Sequence, residues 1–165
     1  MLPKETISAF IDAINSRIPP PVHTGGIENS RPVPAVVIEN ISIDEQNYHN
    51  SHHAGFEYDS NGQITSEINR HYYYLNIEMV VKDDDETTAF EYLGDLKLAL
   101  AEISDDPRGI IHEHVHKAVP GGSGGVSYEF YEPVETEINQ SVTLKTFYDH
   151  QKQDVDVIEN IEKIQ

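Results

Sequence analysis

His71-Tyr-Tyr-Tyr-Leu-Asn-Ile-Glu-Met-Val-Val81 is the stretch whose reading decides the fold. Tyr73, Leu75, Ile77, Met79 and Val81 alternate with Tyr72, Tyr74, Asn76, Glu78 and Val80. A period of two is the mark of a strand, with the odd-numbered set turned to the core. Asp83-Asp-Asp-Glu86 follows directly. Acids there suit the positive end of a helix dipole, so a helix is expected over 87–104. Phe90, Leu93, Leu96, Leu100 and Ile103 would form its packed face, and Asp106–Pro107 would end it. Gly94 in mid-helix costs about 1 kcal/mol relative to Ala, which points to a close approach to the sheet.

Working outward, residues 3–18 read as an amphipathic helix. Pro3 stands at the first helical position, Glu5 lies in the first turn, and Ile7, Phe10, Ile11, Ile14 and Ile18 form the stripe. Pro19, Pro20 and Pro21 stop it, and 19–34 is a loop. AVVI opens a buried strand over 35–43. The polar stretch 44–70 shows no lasting period and is expected to be an extended arm. Strands follow over 109–119, 126–134 and 141–149, the first two joined by Pro-Gly-Gly-Ser-Gly-Gly125 at a flexible hairpin tip. Residues 150–165 form a C-terminal tail or short helix. The expected architecture is one α+β domain over 1–165: a mainly antiparallel sheet of four to five strands packed by two helices, with a long arm between the first two strands.

Charge bounds the function. Twenty-nine Asp and Glu face eleven Lys and Arg among 165 residues, a net charge of −18. The basic residues are scattered singly along the sequence, without the clustering that displaces counterions from phosphate. Sequence-specific nucleic-acid binding and docking to an anionic membrane are therefore not expected. Such acidity suits molar salt, where the Debye length falls to about 3 Å and self-repulsion nearly vanishes. The absence of cysteine removes disulfides, thiolate metal sites and cysteine nucleophiles. No apolar run approaches a membrane span, and MLPKETISAF lacks the layout of a secretion signal.

Few residues suggest chemistry. His112, His114 and His116 would share one face of a strand, from which imidazoles can bind a borderline metal. Same-face neighbours stand about 6.6 Å apart, however, too far to converge without help. His52 and His53 are possible additional ligands. Gly121-Gly-Ser-Gly-Gly125 matches a nucleophile-elbow pattern but lies between strands rather than at a strand-to-helix turn. The 83–86 acids lack calcium-loop spacing. No catalytic set emerges and no cofactor is expected. Tyr72 and Tyr74, on the face opposite Tyr73, are candidates for subunit contacts. Tyr48, Phe56 and Tyr58 on the arm, and Ile158 and Ile161 in the tail, are the others.

The order of elements resembles the tail terminator (tail-completion) proteins of tailed viruses. The resemblance covers roughly residues 1–150 and is strongest from YYYLNIEMVV through DDDE into TTAFEYLGDLKLALAEI. It implies a virion structural protein without enzymatic activity. That protein forms a homo-oligomeric ring, expected to be a hexamer, at the head-proximal end of the tail tube. There it terminates tail assembly and joins the tube protein to the head–tail connector, at the tail–neck junction of a virion assembled in the host cytoplasm. DNA passes the lumen without specific binding. With the acidity added, the resemblance points to a virus of a halophilic archaeon. The alternatives are another small neck or tail component, a histidine-based metal-binding module or enzyme, and a small ligand-binding or regulatory domain of a halophilic host.

Overall fold

A computed structural model describes residues 1–24, 34–45, 51–130 and 134–152. Its order is α1 (Pro3–Asn15), β1 (Val22–Thr24), β2 (Ala35–Glu45), β3 (Ser51–Tyr58), β4 (Ile64–Asp83), α2 (Glu86–Asp105), α3 (Pro107–Ile110), β5 (Val115–Glu129) and β6 (Glu135–Lys152). This is the α+β architecture that the alternation in β4 predicts, with six strands rather than four to five. The sheet runs β1-β2-β4-β6-β5, and β3 also pairs with β4. Every pairing is antiparallel except β1 with β2.

The odd-numbered residues of β4 are the core. Tyr73, Leu75, Ile77, Met79 and Val81 are all buried against Phe10 and Ile14 of α1 and Leu93, Leu96, Leu100 and Ile103 of α2. Asp85 caps α2, its side chain accepting from Thr87 N, while Asp83 accepts from Asp85 N. Phe90 does not join the packed stripe: Ala89 takes that place and Phe90 is 45% exposed. Gly94 likewise meets nothing within 4 Å of where a Cβ would stand, because α2 packs through its other side. The first helix ends at Asn15, three residues short of the expected boundary, since backbone approaching a proline run leaves the helical region. Ile18 remains buried all the same.

The expected strand over 109–119 is corrected at its start. Asp106 caps the short third helix, α3, by accepting from Gly109 N at 3.0 Å, with Pro107 at its first position. This holds the chain out of the sheet until Val115. Nor is the glycine run a hairpin tip. β5 passes straight through it, bulging between Pro120 and Ser123 and again between Ser123 and Val126 while still paired with β6. Gly121 and Gly124 serve close approach: a Cβ there would stand 2.0 Å from Ser141 Oγ and 3.0 Å from Asn139 Cβ. Two long strands therefore replace three expected ones. The loop expected over 19–34 contributes the short β1.

The described residues of 44–70, which are 44–45 and 51–70, do not form an irregular excursion. β2 pairs with 73–82 of β4, and β3 continues along the same edge, pairing with 64–71. The turn is built by Asp59, whose Oδ1 accepts from Asn61 N and Gln63 N, and by Gly62 at φ +79°. The C-terminal segment past Lys152 lies outside the described residues.

Packing generates a paired prediction. Leu100→Ala, at a fully buried site, is expected to cost about 2–5 kcal/mol. Leu98→Ala, 64% exposed on the same helix, should change stability by no more than about 0.5 kcal/mol. Urea denaturation of the two variants reads the difference.

Candidate interaction face

Both long helices lie on one side of the sheet, so the alternation that fills the core leaves the other side without a helix among the described residues, although Val37, Val80 and Phe147 on it are buried. There the even-numbered residues of β4 meet the odd-numbered residues of β6: Tyr72 with Phe147, Tyr74 with Lys145, Asn76 with Thr143, Glu78 with Ser141. β5 extends two of these rows, with Lys117 opposite Lys145 and Val119 opposite Thr143.

One end of this face is aromatic and basic. The Arg70 guanidinium lies 3.9 Å from the centre of the Phe147 ring and forks onto Asp149 at 2.8 and 3.0 Å. That hydrogen-bonded pairing raises the Arg70 pKa and lowers that of Asp149. Lys145 Nζ stands 5.8 Å from both the Tyr72 and Tyr74 rings. The interface candidates Tyr72 and Tyr74 are thus half-buried within this end. Sequence reading singled out neither Arg70 nor Phe147, because their meeting depends on β4–β6 register.

The three histidines are placed differently from the expected strand row. His112 and His114 precede β5, and only His116 lies in it, in the bulge between Val115 and Lys117. The bulge turns His116 onto Phe147, with ring centres 4.8 Å apart. His114 stacks on Phe147 at 4.4 Å, and His112 meets His114 edge-on at 4.7 Å. Their nitrogens do not converge. His114 Nδ1 faces the Met1 ammonium, which also donates to the Phe147 carbonyl at 2.9 Å. His116 Nδ1 accepts from Arg108 Nη2 at 2.8 Å, while its Nε2 is buried without a hydrogen-bond partner. Burial lowers both imidazole pKa values, and nearby positive charge adds to it: the amino terminus for His114, and Arg108, Lys145 and Arg70 for His116. Among the described residues no group of three or more His, Asp or Glu is placed to hold a metal ion. His53 bonds Glu67 at 3.1 Å and packs on Phe56, away from this cluster.

The middle of the face is polar, Thr143 donating to Asn76 Oδ1 at 2.9 Å. Beyond it lies an acidic hollow of about 290 Å³ beside Glu39 and Glu78, walled by Gly122, Gly124, Asn139 and Ser141. Its form follows from the glycine bulges of β5, where side chains would fill the space.

At the sheet margin, β5 pairs only through its β6 side among the described residues. Val119, Val126, Tyr128 and Phe130 are exposed along it, Phe130 by 89%. Tyr128 donates to Glu86 at the start of α2. At the opposite margin, Tyr58 is 60% exposed on β3 and Phe56 is half-buried. Tyr48, Ile158 and Ile161 lie outside the described residues. No family model matches the chain, and no curated protein matches it. Among the described residues no helix is long and apolar enough to cross a membrane.

The depressed imidazoles set a pH dependence. With a lower pKa folded than unfolded, the unfolded chain binds more protons between the two values, so stability rises with pH across that interval. The contribution of His116 is complete above its ordinary value of 6.5 and is lost as pH falls from there through the folded value. The urea midpoint should drop on acidification below that point, less steeply in His116→Gln, as fluorescence-monitored titrations at several pH values will show.

Proposed function

We propose that the chain is a virion structural protein of the tail-terminator type, without enzymatic activity. It forms a homo-oligomeric ring that ends the tail tube and joins it to the head–tail connector. The observation that carries this reading is the margin of β5, a 15-residue strand with one side unpaired among the described residues and with apolar side chains exposed along it. Unpaired strand edges associate unless something covers or blocks them. A contact made by such a margin with a different surface of the next copy closes into a ring when the rotation allows. The acidic balance supports passage of DNA, since a negative wall repels phosphate instead of gripping it. A small neck or tail component of another kind would share these features.

Subunits carrying −18 repel one another in dilute buffer. In about 2 M salt, where the Debye length is only a few ångströms, light scattering should find a species of about six subunits or a whole multiple of it. Dilution into low salt should reduce it to smaller forms. A monomer at every salt and protein concentration would overturn the ring. Stoichiometric zinc that survives dialysis and is lost on His114→Ala would replace the ring with the metal-module reading.

A further inference from the structure

The face away from the helices carries a basic patch and an acidic hollow. Lys117 and Lys145 stand directly opposite each other across β5 and β6. Like charges in that relation are destabilising. Neither lysine is in an ion pair with a described residue, whereas Arg70 already holds Asp149 and Lys82 holds Glu137. Glu39 and Glu78 at the hollow are likewise outside any ion pair among the described residues; the one side-chain bond to Glu78 is a long one of 3.4 Å from Asn40. Glu78 lies in register with Ser141, four residues along β6 from Lys145, a separation of about 13 Å. A basic patch on β5–β6 and an acidic hollow on β2–β4 therefore share one face, neither in an ion pair among the described residues, with the Asn76–Thr143 bond between them.

We propose that this face docks a second copy of the chain, the Lys117–Lys145 pair of one copy entering the acidic hollow beside Glu39 and Glu78 of the other. A two-fold axis lying in the interface plane near the Asn76–Thr143 bond, inclined to the strands so that the β5–β6 side of one copy crosses the β2–β4 side of the other, satisfies both patches at once. Charge complementarity selects this partner. A surface with 29 acids and 11 bases offers an approaching copy repulsion almost everywhere, and this basic end is where a carboxylate is welcomed. Tyr72 and Tyr74 flank Lys145 as rigid, amphipathic walls of the same contact. Salt does not oppose the arrangement. At about 1 M ionic strength the Debye length of ~3 Å removes the long-range repulsion while charges in contact still feel one another. The β5 margin remains free. The inference rests on the self-association proposed above and names a face through which copies meet.

Charge exchange tests it. Light scattering in high salt would compare the wild type with Lys117→Glu/Lys145→Glu, with Glu39→Lys/Glu78→Lys, and with all four substitutions together. Each double variant is expected to lose half or more of the assembled mass while circular dichroism and the urea midpoint show it folded. The quadruple variant, with the two ends exchanged, is expected to regain the wild-type mass. An assembled mass unchanged in both doubles overturns the inference and leaves the ring standing. A folded quadruple variant that stays dissociated also overturns it. A monomeric wild type fails the ring reading itself. Should a reversal variant not fold, Lys117→Gln/Lys145→Gln replaces it, with weaker assembly expected and unchanged mass overturning.

Discussion

Everything in this chain hangs on β4. Its 20 residues pair with β2 and β3 along one edge and with β6 along the other. Its alternate side chains supply the row against which both long helices pack. A strand so placed has no freedom of register: a slip of one residue would carry Leu75, Ile77 and Met79 to solvent and drive Asn76 and Glu78 into the core. The face turned away from the helices is the other consequence of the same alternation. Once the odd residues are committed to the helices, Tyr72, Tyr74 and Glu78 must face away, and register with β6 sets Phe147 and Lys145 beside them.

The charge distribution gains its meaning from that geometry. Along the sequence the basic residues are isolated, but β4, β6, β5 and the start of α3 bring Arg70, Lys145, Lys117 and Arg108 to one end of one face. Part of the cost is visible at His116, whose pKa is lowered first by burial and then by Arg108, Lys145 and Arg70. The aromatic rings of Phe147, Tyr72 and Tyr74 give the cations weakly polar surfaces to lie on. A net charge that keeps copies apart and a local patch that draws carboxylates together are compatible, because one acts over long range and the other at contact. The proposed ring and the proposed face pairing use this difference in range.

Glycine has an unexpected part in the same design. Between two strands, Pro-Gly-Gly-Ser-Gly-Gly125 has the composition of a flexible tip, and composition alone says nothing of what stands opposite. The chain uses these residues to bring β5 against Ser141 and Asn139 while bulging twice. The bulges open the hollow beside Glu78, and the strand continues to the exposed Tyr128 and Phe130. Asp59 to Gly62 carries the turn chemistry of the β3–β4 hairpin, a local signal in a stretch whose aromatic residues and missing period suggest an arm.

Local chemistry made part of the structure legible. The alternation of 71–81, the acidic cap of α2, the Pro3 start of α1 and the end of α2 at Asp106 all follow from interactions within a few residues, so the amino-acid sequence by itself determines them, and the α+β class with them. The strand count, the path of β5 through its glycines and the third helix at Pro107 depend on what packs or pairs across the sheet. The candidate site is further removed still. Tyr72 and Tyr74 could be placed on the face opposite the core from period alone, but Arg70 meeting Phe147, Lys117 meeting Lys145, and His114 meeting the amino terminus join residues far apart in the chain. Sequence determined which residues face together along a strand, because a period of two is a property of one segment. Only the tertiary structure decided which segments lie side by side, because register is set by the burial of the whole core at once.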